Sequence, residues 1–584
     1  MFKEGFRLAD THEQGQGFDS GPPNAAAANG GVYEPENGEW RAREEEPARV
    51  RHNGDDAGAH AGGDAAAGMA APTAADKKMA QRDKPNDQEV LTDEEKRLME
   101  ATAVPPTFAE LKRVLEEKIG LHKSFDIVFR EMVFGTVHTG LLYVNGFAKD
   151  TVLTDILTRL TYATIGEIAD HPLERLMDHL IPHIQVEESE KLDDIVLKVL
   201  SGSAALFVEQ QTGALVIDSK SFPVRSIEEP DLERVVRGAR DGFTETLLTN
   251  VSLVRRRLRD PRLKLEILQI GARTKTDVCI GYINDIADQN LVESLRDKIK
   301  GVEADGLPLA DKQLEEAIIR KNWNPYPHVR YSERPDVIAA HLLEGYVVVF
   351  VDTSPSVMIM PTTAFTLVQH AEEYRQTPTV GTYLRWVRFI GMIASIFLLP
   401  LWYLMVVHPE LKPPTLEWIG PQEPGHLPLL LQFLFAEIGI DLMRMAAVHT
   451  PTPLATAMGL VAAILIGDIA VKTGLFVNEV ILYLAVAAIG MFATPSYELG
   501  LANRIVRILL LLSTALFDVT GFVGGITVWV LVLAFTRSYN SPYLWPFIPF
   551  NGKALLAIIV RKPFPTAKTR LSLTKPKDKT RQPA

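Results

Sequence analysis

From Val387 to Phe535 the chain is a series of long apolar stretches broken by few charges, whereas the residues before it alternate short apolar runs with polar ones. Between Arg388 and His408 the run FIGMIASIFLLPLWYLMVV carries no formal charge. At 1.5 Å per residue it is long enough for roughly 30 Å of hydrocarbon. Further candidate spans lie at Leu429 to Val448, Leu454 to Val471, Leu475 to Thr494 and Ile508 to Thr536. So many apolar segments in one short region cannot all be core helices without a much larger polar shell, so an all-α multipass transmembrane domain is expected over 381–550.

Ahead of it the periodicity changes. Helical spacing in TFAELKRVLEEKIG begins at Thr107 and ends on Gly120. Strand-like runs and helices then alternate: FDIVFREMVF, GLLYVNGF, helices at Asp150 to Leu160 and Leu192 to Leu200, and strands at Ala204 to Val208 and Ala214 to Ile217. A proline-bearing connector, SKSFPVRSIEEPDLERVVRGARDG, leads to a second such stretch. It predicts a helix from Phe243 to Leu258, strands LKLEILQIG and TDVCIGYI, helices at Leu291 to Ile299 and Lys312 to Ile319, and a strand GYVVVFVD. The mixture predicts an α/β soluble region of two subdomains, 105–225 and 226–380. Residues 1–104, rich in Ala, Gly, Asp, Glu and Pro, are expected to be disordered, because they bury too little apolar surface to offset the entropy of ordering. The final 551–584 is a basic tail.

Composition adds orientation. The net charge of -12 hides the membrane region, because the acidic surplus sits in the first two thirds. One cysteine, Cys279, excludes an internal disulfide framework and a multi-cysteine metal site. The first residues have no apolar core of a signal peptide, so the soluble part is expected to stay on the side of synthesis. Arg385 and Arg388 precede the first span, Arg504 and Arg507 precede the last, and Lys and Arg crowd the tail, which places these ends in the cytoplasm. Both ends on one side need an even number of crossings. The stretch Ile508 to Thr536, too long for one untilted span and interrupted by FDVTGFVGG, is therefore read as a broken hairpin.

No catalytic constellation is present, so no enzyme and no cofactor are expected: there is no G-x-S-x-G elbow, no phosphate-binding loop with its glycines, and no H-E-x-x-H. Asp170, His171, Asp178, His179 and His183 gather in sequence, but Pro172 and Pro182 interrupt the helix that metal ligation at i and i+4 needs, so ordinary surface histidines are expected. The polar residues inside the apolar region are more telling, since ionisable groups at that depth are costly and face a bundle interior, a partner or water. Glu437, Asp441 and Arg444 share one helix face, as a charge pair that pins the bundle or as an ion contact. Val461, Ile464, Asp468 and Lys472 fall on one side of another helix, while Gly459, Ala463 and Gly467 offer small surfaces for close packing. Asp468 is a candidate for an acidic ring or a partner of Lys472.

Taken together, VVRGARDGFTETLLTNVSLVRRRLRDPRL, IGARTKTDVCIGYI, ERPDVIAAHLLEGYVVVFVDTSPSVMIMPTTAF, GDIAVKTGLF and SPYLWPFIPF resemble, in order, the A-subunit family of bacterial spore germinant receptors, the GerA type. Within it, HPLERLMDHLIPHIQVEE, AEEYRQTPTVGTYLRWVRFIG and RMAAVHTPTPLATAMGL are similar to the branch called stage V sporulation protein AF. The chain departs from the common pattern at Ala239, where proline is usual, and at Asp468, where glutamine is frequent. The resemblance implies a protein of the spore inner membrane with its soluble domain facing the spore core, acting with other germination membrane proteins. It also implies homo-oligomeric rings, the pentamer being one, that conduct monovalent cations; no nucleic acid is implicated. Val461, Ile464 and Asp468 are then the candidate pore-lining residues. The alternative is a non-conducting scaffold or signal-relay subunit. A secondary transporter would need two related halves, and no such repeat is visible.

Overall fold

The computed structural model describes residues 102–162, 172–221, 233–319, 323–416, 420–421, 425–449, 459–461, 463–539 and 541–582. All belong to one compact unit, 89–584. The stretch expected to be disordered lies, up to residue 101, outside the described residues; Val104 at its end is buried.

Two antiparallel sheets form the first half. After helix α1 (Phe108–Ile119) come β1 (Ile127–Phe134), β2 (Val137–Val144), α2 (Asp150–Tyr162), β3 (Val186–Ser189), α3 (Leu192–Leu200), β4 (Ala204–Val208) and β5 (Ala214–Ile217), with strand order β1-β2-β4-β5-β3. The second sheet follows α4 (Leu247–Arg257) and comprises β6 (Leu263–Ile270), β7 (Thr276–Ile283), helices α5 (Gln289–Lys300) and α6 (Ala310–Ile319), β8 (Arg330–Ser332), α7 (Pro335–Leu343), β9 (Val347–Val351) and β10 (Val357–Met360). Its order, β6-β7-β9-β10-β8, repeats that of the first, and a helix again joins the edge strand to the next one.

Both sheets are covered on both faces, and the period-two alternation of their strands decides which side chain goes where. On one face of the first sheet Leu142, Val144, Ala205 and Phe207 meet Leu111 and Leu115 of α1 and Ile195 and Val199 of α3; on the other, Leu141, Leu206 and Leu215 meet Leu153, Ile156 and Leu160 of α2. In the second sheet Leu265, Cys279, Val348 and Phe350 face α4 and α7, and Val278, Ile280, Val349 and Met358 face α5 and α6. The sheets are joined by Arg255 and Asp126, each at most 1% exposed: the guanidinium donates to the carboxylate from Nε at 2.9 Å and from Nη2 at 3.0 Å. Its Nη1 donates to the Leu263 carbonyl at 3.1 Å.

The expected helix from Phe243 starts four residues later, at Leu247. Asp352 takes the Leu247 amide at 3.0 Å, and Asn250 turns back on Thr244, accepting its amide at 2.7 Å, so the preceding residues stay non-helical.

The second half is helical. Helices α8 (Pro378–Val407), α9 (Leu429–His449), α10 (Asn478–Phe492) and α11 (Tyr497–Phe535) pack around Leu399, Trp402, Phe433, Val480 and Leu484. Of these, α8 and α11 are long and apolar enough to cross a membrane. Only 11% of the apolar window of α11 is buried, whereas the core helix of a soluble domain is mostly buried. The span read at Leu475 to Thr494 is the 15-residue α10, and residues 454–458 and 462 of the one read from Leu454 lie outside the described residues. Where α8 and α10 cross, a Cβ on Gly490 would sit 2.2 Å from the Gly391 carbonyl oxygen, so only glycine permits the approach.

Helix α11 is the expected broken hairpin. Asp518 has φ 51 and ψ -134, and beyond it the chain folds back so that the Ser513 hydroxyl donates to the Gly521 carbonyl at 2.8 Å. His408, at the end of α8, meets the Asp518 carboxylate at this tip, 3.2 Å away.

The tail packs rather than trails. Helix α12 (Gly552–Ile559) puts Ala554 and Ile558, and the residues after it put Leu573, into the α4/α7 side of the second sheet. Arg570 Nε donates to the Leu343 carbonyl at 2.7 Å.

Candidate functional site

A buried ionic cluster joins three helices. Glu437 and Asp441, one turn apart on α9, face Arg504 and Arg507 on the first arm of α11. Glu437 is 2% exposed and lies 2.9 Å from Arg504 Nη2 and 2.7 Å from Arg507 Nη2; Asp441 pairs with Arg504 Nη1. Arg507 Nη1 also donates to the Ser395 carbonyl of α8 at 2.8 Å. Two guanidinium groups bracket one carboxylate, so each charge is compensated and the three helices share one register.

The sequence expectation grouped Glu437, Asp441 and Arg444. The structure brings the two acids to bases of another helix, while Arg444 points Nη2 at the Met491 sulfur, 3.3 Å away, and lies over the rings of Phe492 and Tyr497. Arg504 and Arg507, read as flanking positive charge, are instead buried inside the bundle. Their i, i+3 spacing opposite the i, i+4 acids was the available signal.

Val461 and Ile464 are both exposed, and residues Ala463–Ile469 wind as a π-helix, which shifts their register from the one expected. Asp468 Oδ2 is 2.6 Å from Lys472 Nζ, with both side chains mostly exposed. A Cβ built on Gly459 or Gly467 meets no described atom within 4 Å, so this small-residue face has no neighbour among the described residues of the chain. Of the histidine and aspartate group, Asp170 and His171 lie outside the described residues; Asp178 and His179 are exposed on the turn Leu176–Leu180, and His183 sits beyond it.

The second sheet grips both arms of the α11 hairpin. Tyr326, which precedes β8, accepts from Trp529 Nε1 at 2.5 Å and donates to Asn503 Oδ1 at 3.3 Å, so one phenol touches both arms. Burial raises its pKa, so it remains a donor at neutral pH. Asn324 donates to Thr536 Oγ1 at 2.6 Å, and Ser538 Oγ to the His328 carbonyl at 2.6 Å. Lys312 of α6 reaches Glu498 at the start of the hairpin, 2.8 Å away. Partial burial of Lys312 disfavours its ammonium, but Glu315 and Glu498 outweigh that and raise its pKa. At the start of α8 the fully buried Glu373 binds Arg385 at 2.7 Å and also Arg388.

Tyr326→Phe should therefore uncouple the hairpin arms, leaving the partly buried Trp529 and the buried Asn503 without their shared partner, at a cost of about 1–3 kcal/mol. The measurement is the midpoint of thermal unfolding of the full chain in detergent, where an unchanged midpoint would mean that the phenol is not the link.

A family model described as Bacillus/Clostridium GerA spore germination protein matches residues 113–573, which takes in both sheets, all four long helices and the packed tail helix. The chain belongs to the GerA family. Among GerA relatives, stage V sporulation protein AF of Bacillus subtilis (strain 168) is 48% identical over 475 residues, 81% of this chain and 96% of that one, which bears out the branch read from the sequence. A Bacillus subtilis (strain 168) protein named uncharacterized membrane protein YfkQ is 31% identical over 472 residues, 80% of this chain and 91% of that one. The crystal structure of the N-terminal domain of the A subunit of the Bacillus megaterium spore germinant receptor GerK3 is 26% identical, covering 44% of this chain and 96% of that domain, with a TM-score of 0.35.

Ala239 is held through its backbone. Its carbonyl accepts from Nη2 of the fully buried Arg334 at 2.9 Å, and Arg334 is itself paired with Asp336 at 3.0 Å. The bond uses no side-chain atom of residue 239, so alanine keeps it.

Proposed function

We propose that this chain is a multipass membrane subunit of a spore germination complex, that it assembles with copies of itself into a ring, and that the ring conducts monovalent cations. The two sheets lie on the spore-core side of the inner membrane, and other germination membrane proteins are its partners. The observation that carries the reading is the helix around Val461, Ile464 and Asp468: two apolar side chains exposed, two glycines without a neighbour among the described residues, and an acidic group at the end. In a ring of copies such a helix gains neighbours, its apolar residues can close a pore by excluding water, and Asp468 can concentrate cations at the mouth. Six crossings are proposed, from α8, α9, the segment 454–471, α10 and the two arms of α11. The contact of His408 with Asp518 supports this count, since it puts the end of α8 and the hairpin tip together.

The pairing of Asp468 with Lys472 favours the second reading, a scaffold or relay subunit that does not conduct. Flux of potassium or sodium from liposomes holding the full chain, with and without co-expressed partners, separates the two. Conduction predicts that Asp468→Asn lowers flux roughly tenfold with the oligomer intact, and that Val461→Ala makes the closed state leak. The scaffold reading predicts no flux in any variant, and an effect of Asp468→Asn on assembly that neutralising Lys472 reverses.

A further inference from the structure

A cleft of about 690 Å³ lies where the second arm of α11 leaves the helical bundle and meets the second sheet. One wall is apolar and belongs to the hairpin: Val528, Leu531, Val532 and Phe535, of which Val528 is 61% and Phe535 81% exposed. The other end is polar and belongs to the sheet side, with Lys298 at the end of α5 and Arg537 just beyond the hairpin.

Both cations lack a carboxylate within salt-bridge range among the described residues, whereas Lys312, Arg385, Arg504 and Arg507 are all paired. Lys298 and the backbone of Arg537 are also held in place. Lys298 Nζ sits over the Tyr539 ring, 4.8 Å from its centre. The Arg537 backbone is pinned by its carbonyl to His328 Nδ1 at 3.0 Å and by the two-residue strand pairing with Ser541–Pro542. An apolar wall two helical turns long, roughly 11 Å at 1.5 Å per residue, capped by two cations without a carboxylate partner among the described residues, has the polarity of a phospholipid headgroup with the upper part of an acyl chain.

We propose that this cleft binds one anionic phospholipid, its phosphate held between Lys298 and Arg537 and an acyl chain lying along Val528 to Phe535. A zwitterionic lipid brings its own cation to the same place and is repelled there. The site rests on the membrane reading above and is independent of conduction. It gives the second sheet, which already grips the hairpin through Tyr326, a sensor of the leaflet charge at the base of the same hairpin.

The test uses the full chain in bilayer nanodiscs containing a phosphatidylglycerol with a photoreactive acyl chain, or the matching phosphatidylcholine. The expected result is an adduct on residues 528–537 stronger with phosphatidylglycerol by roughly tenfold or more, and reduced to the phosphatidylcholine level by Lys298→Gln with Arg537→Gln. Both side chains are exposed, so the fold should survive; Arg537→Lys, which keeps the charge, should keep the adduct. Equal labelling by the two lipids, or labelling unchanged in the double variant, overturns the site while leaving the membrane reading intact. A crosslink between copies in place of the lipid adduct overturns it in favour of a subunit interface. Release of the protein from membranes by alkaline carbonate would overturn the membrane reading, and the site with it.

Discussion

Glu437→Leu should disassemble the helical half of the protein, at a cost of about 3–5 kcal/mol, because it strands two buried cations at once. Arg504 and Arg507 are each no more than 3% exposed, and Glu437 is the carboxylate that both touch. With it gone, Arg504 retains Asp441 on the half-exposed side and the residue 437 backbone carbonyl, and Arg507 retains the Ser395 carbonyl, so neither keeps a buried carboxylate. A buried charge without its partner costs far more than the pair contributed, so the deficit should be reduced by removing the second charge as well. Glu437→Leu with Arg507→Leu is therefore expected to recover a substantial part of the lost stability, while Glu437→Leu with Asp441→Asn should be worse than the single change. Protease resistance and thermal unfolding of the full chain in detergent measure all three. If the double leucine variant were no more stable than Glu437→Leu, the cluster would not be an electrostatic unit.

Arg255→Leu should have an effect of similar size, about 3–5 kcal/mol, but on the joint between the two sheets. It leaves the Asp126 carboxylate buried with neither of its two guanidinium bonds, and it frees the Leu263 carbonyl at the start of the second sheet. Lysine at this position keeps the charge but not the fork that makes two parallel bonds, so Arg255→Lys should recover little. Asp126→Asn with Arg255→Leu should lie between the wild type and the single variant. Hydrogen exchange is the discriminating measurement: loss of protection confined to residues 124–127 and 263–265 would mean that the sheets separate, whereas loss throughout both sheets would mean that they fold only as a pair.

Much of the local structure was legible because the local pattern was strong. Strands β4, β5 and β7 and helix α3 have the bounds that their apolar runs predict, since a fully buried strand is a continuous apolar run and an amphipathic helix repeats every three to four residues. Edge strands were not legible. Strand β3, VEES, and β8, RYS, each pair through the backbone on one side only, so their side chains need not be apolar. Helix α7 was missed although Pro335 stands at its first turn, where proline suits a helix start. The shared strand order of the two sheets also has no visible trace in residue pattern, because many apolar sequences satisfy the same arrangement.

In the helical half the sequence by itself determined that ionisable groups sit in an apolar setting, that Glu437 and Asp441 share a face, and that the chain breaks near Asp518. Each of these is a property of residues within a few turns of one another. Which base each acid meets was decided only by the tertiary structure, since Glu437 and Arg507 are 70 residues apart and Arg444 was nearer in sequence. The same holds for Tyr326, Asn503 and Trp529, a loop and two helix arms that no periodicity connects. Membership in the GerA family was legible because its motifs are long and ordered along the chain. The joining of sheet to hairpin was not, because that contact depends on where the fold brings separate elements together and not on any one of them.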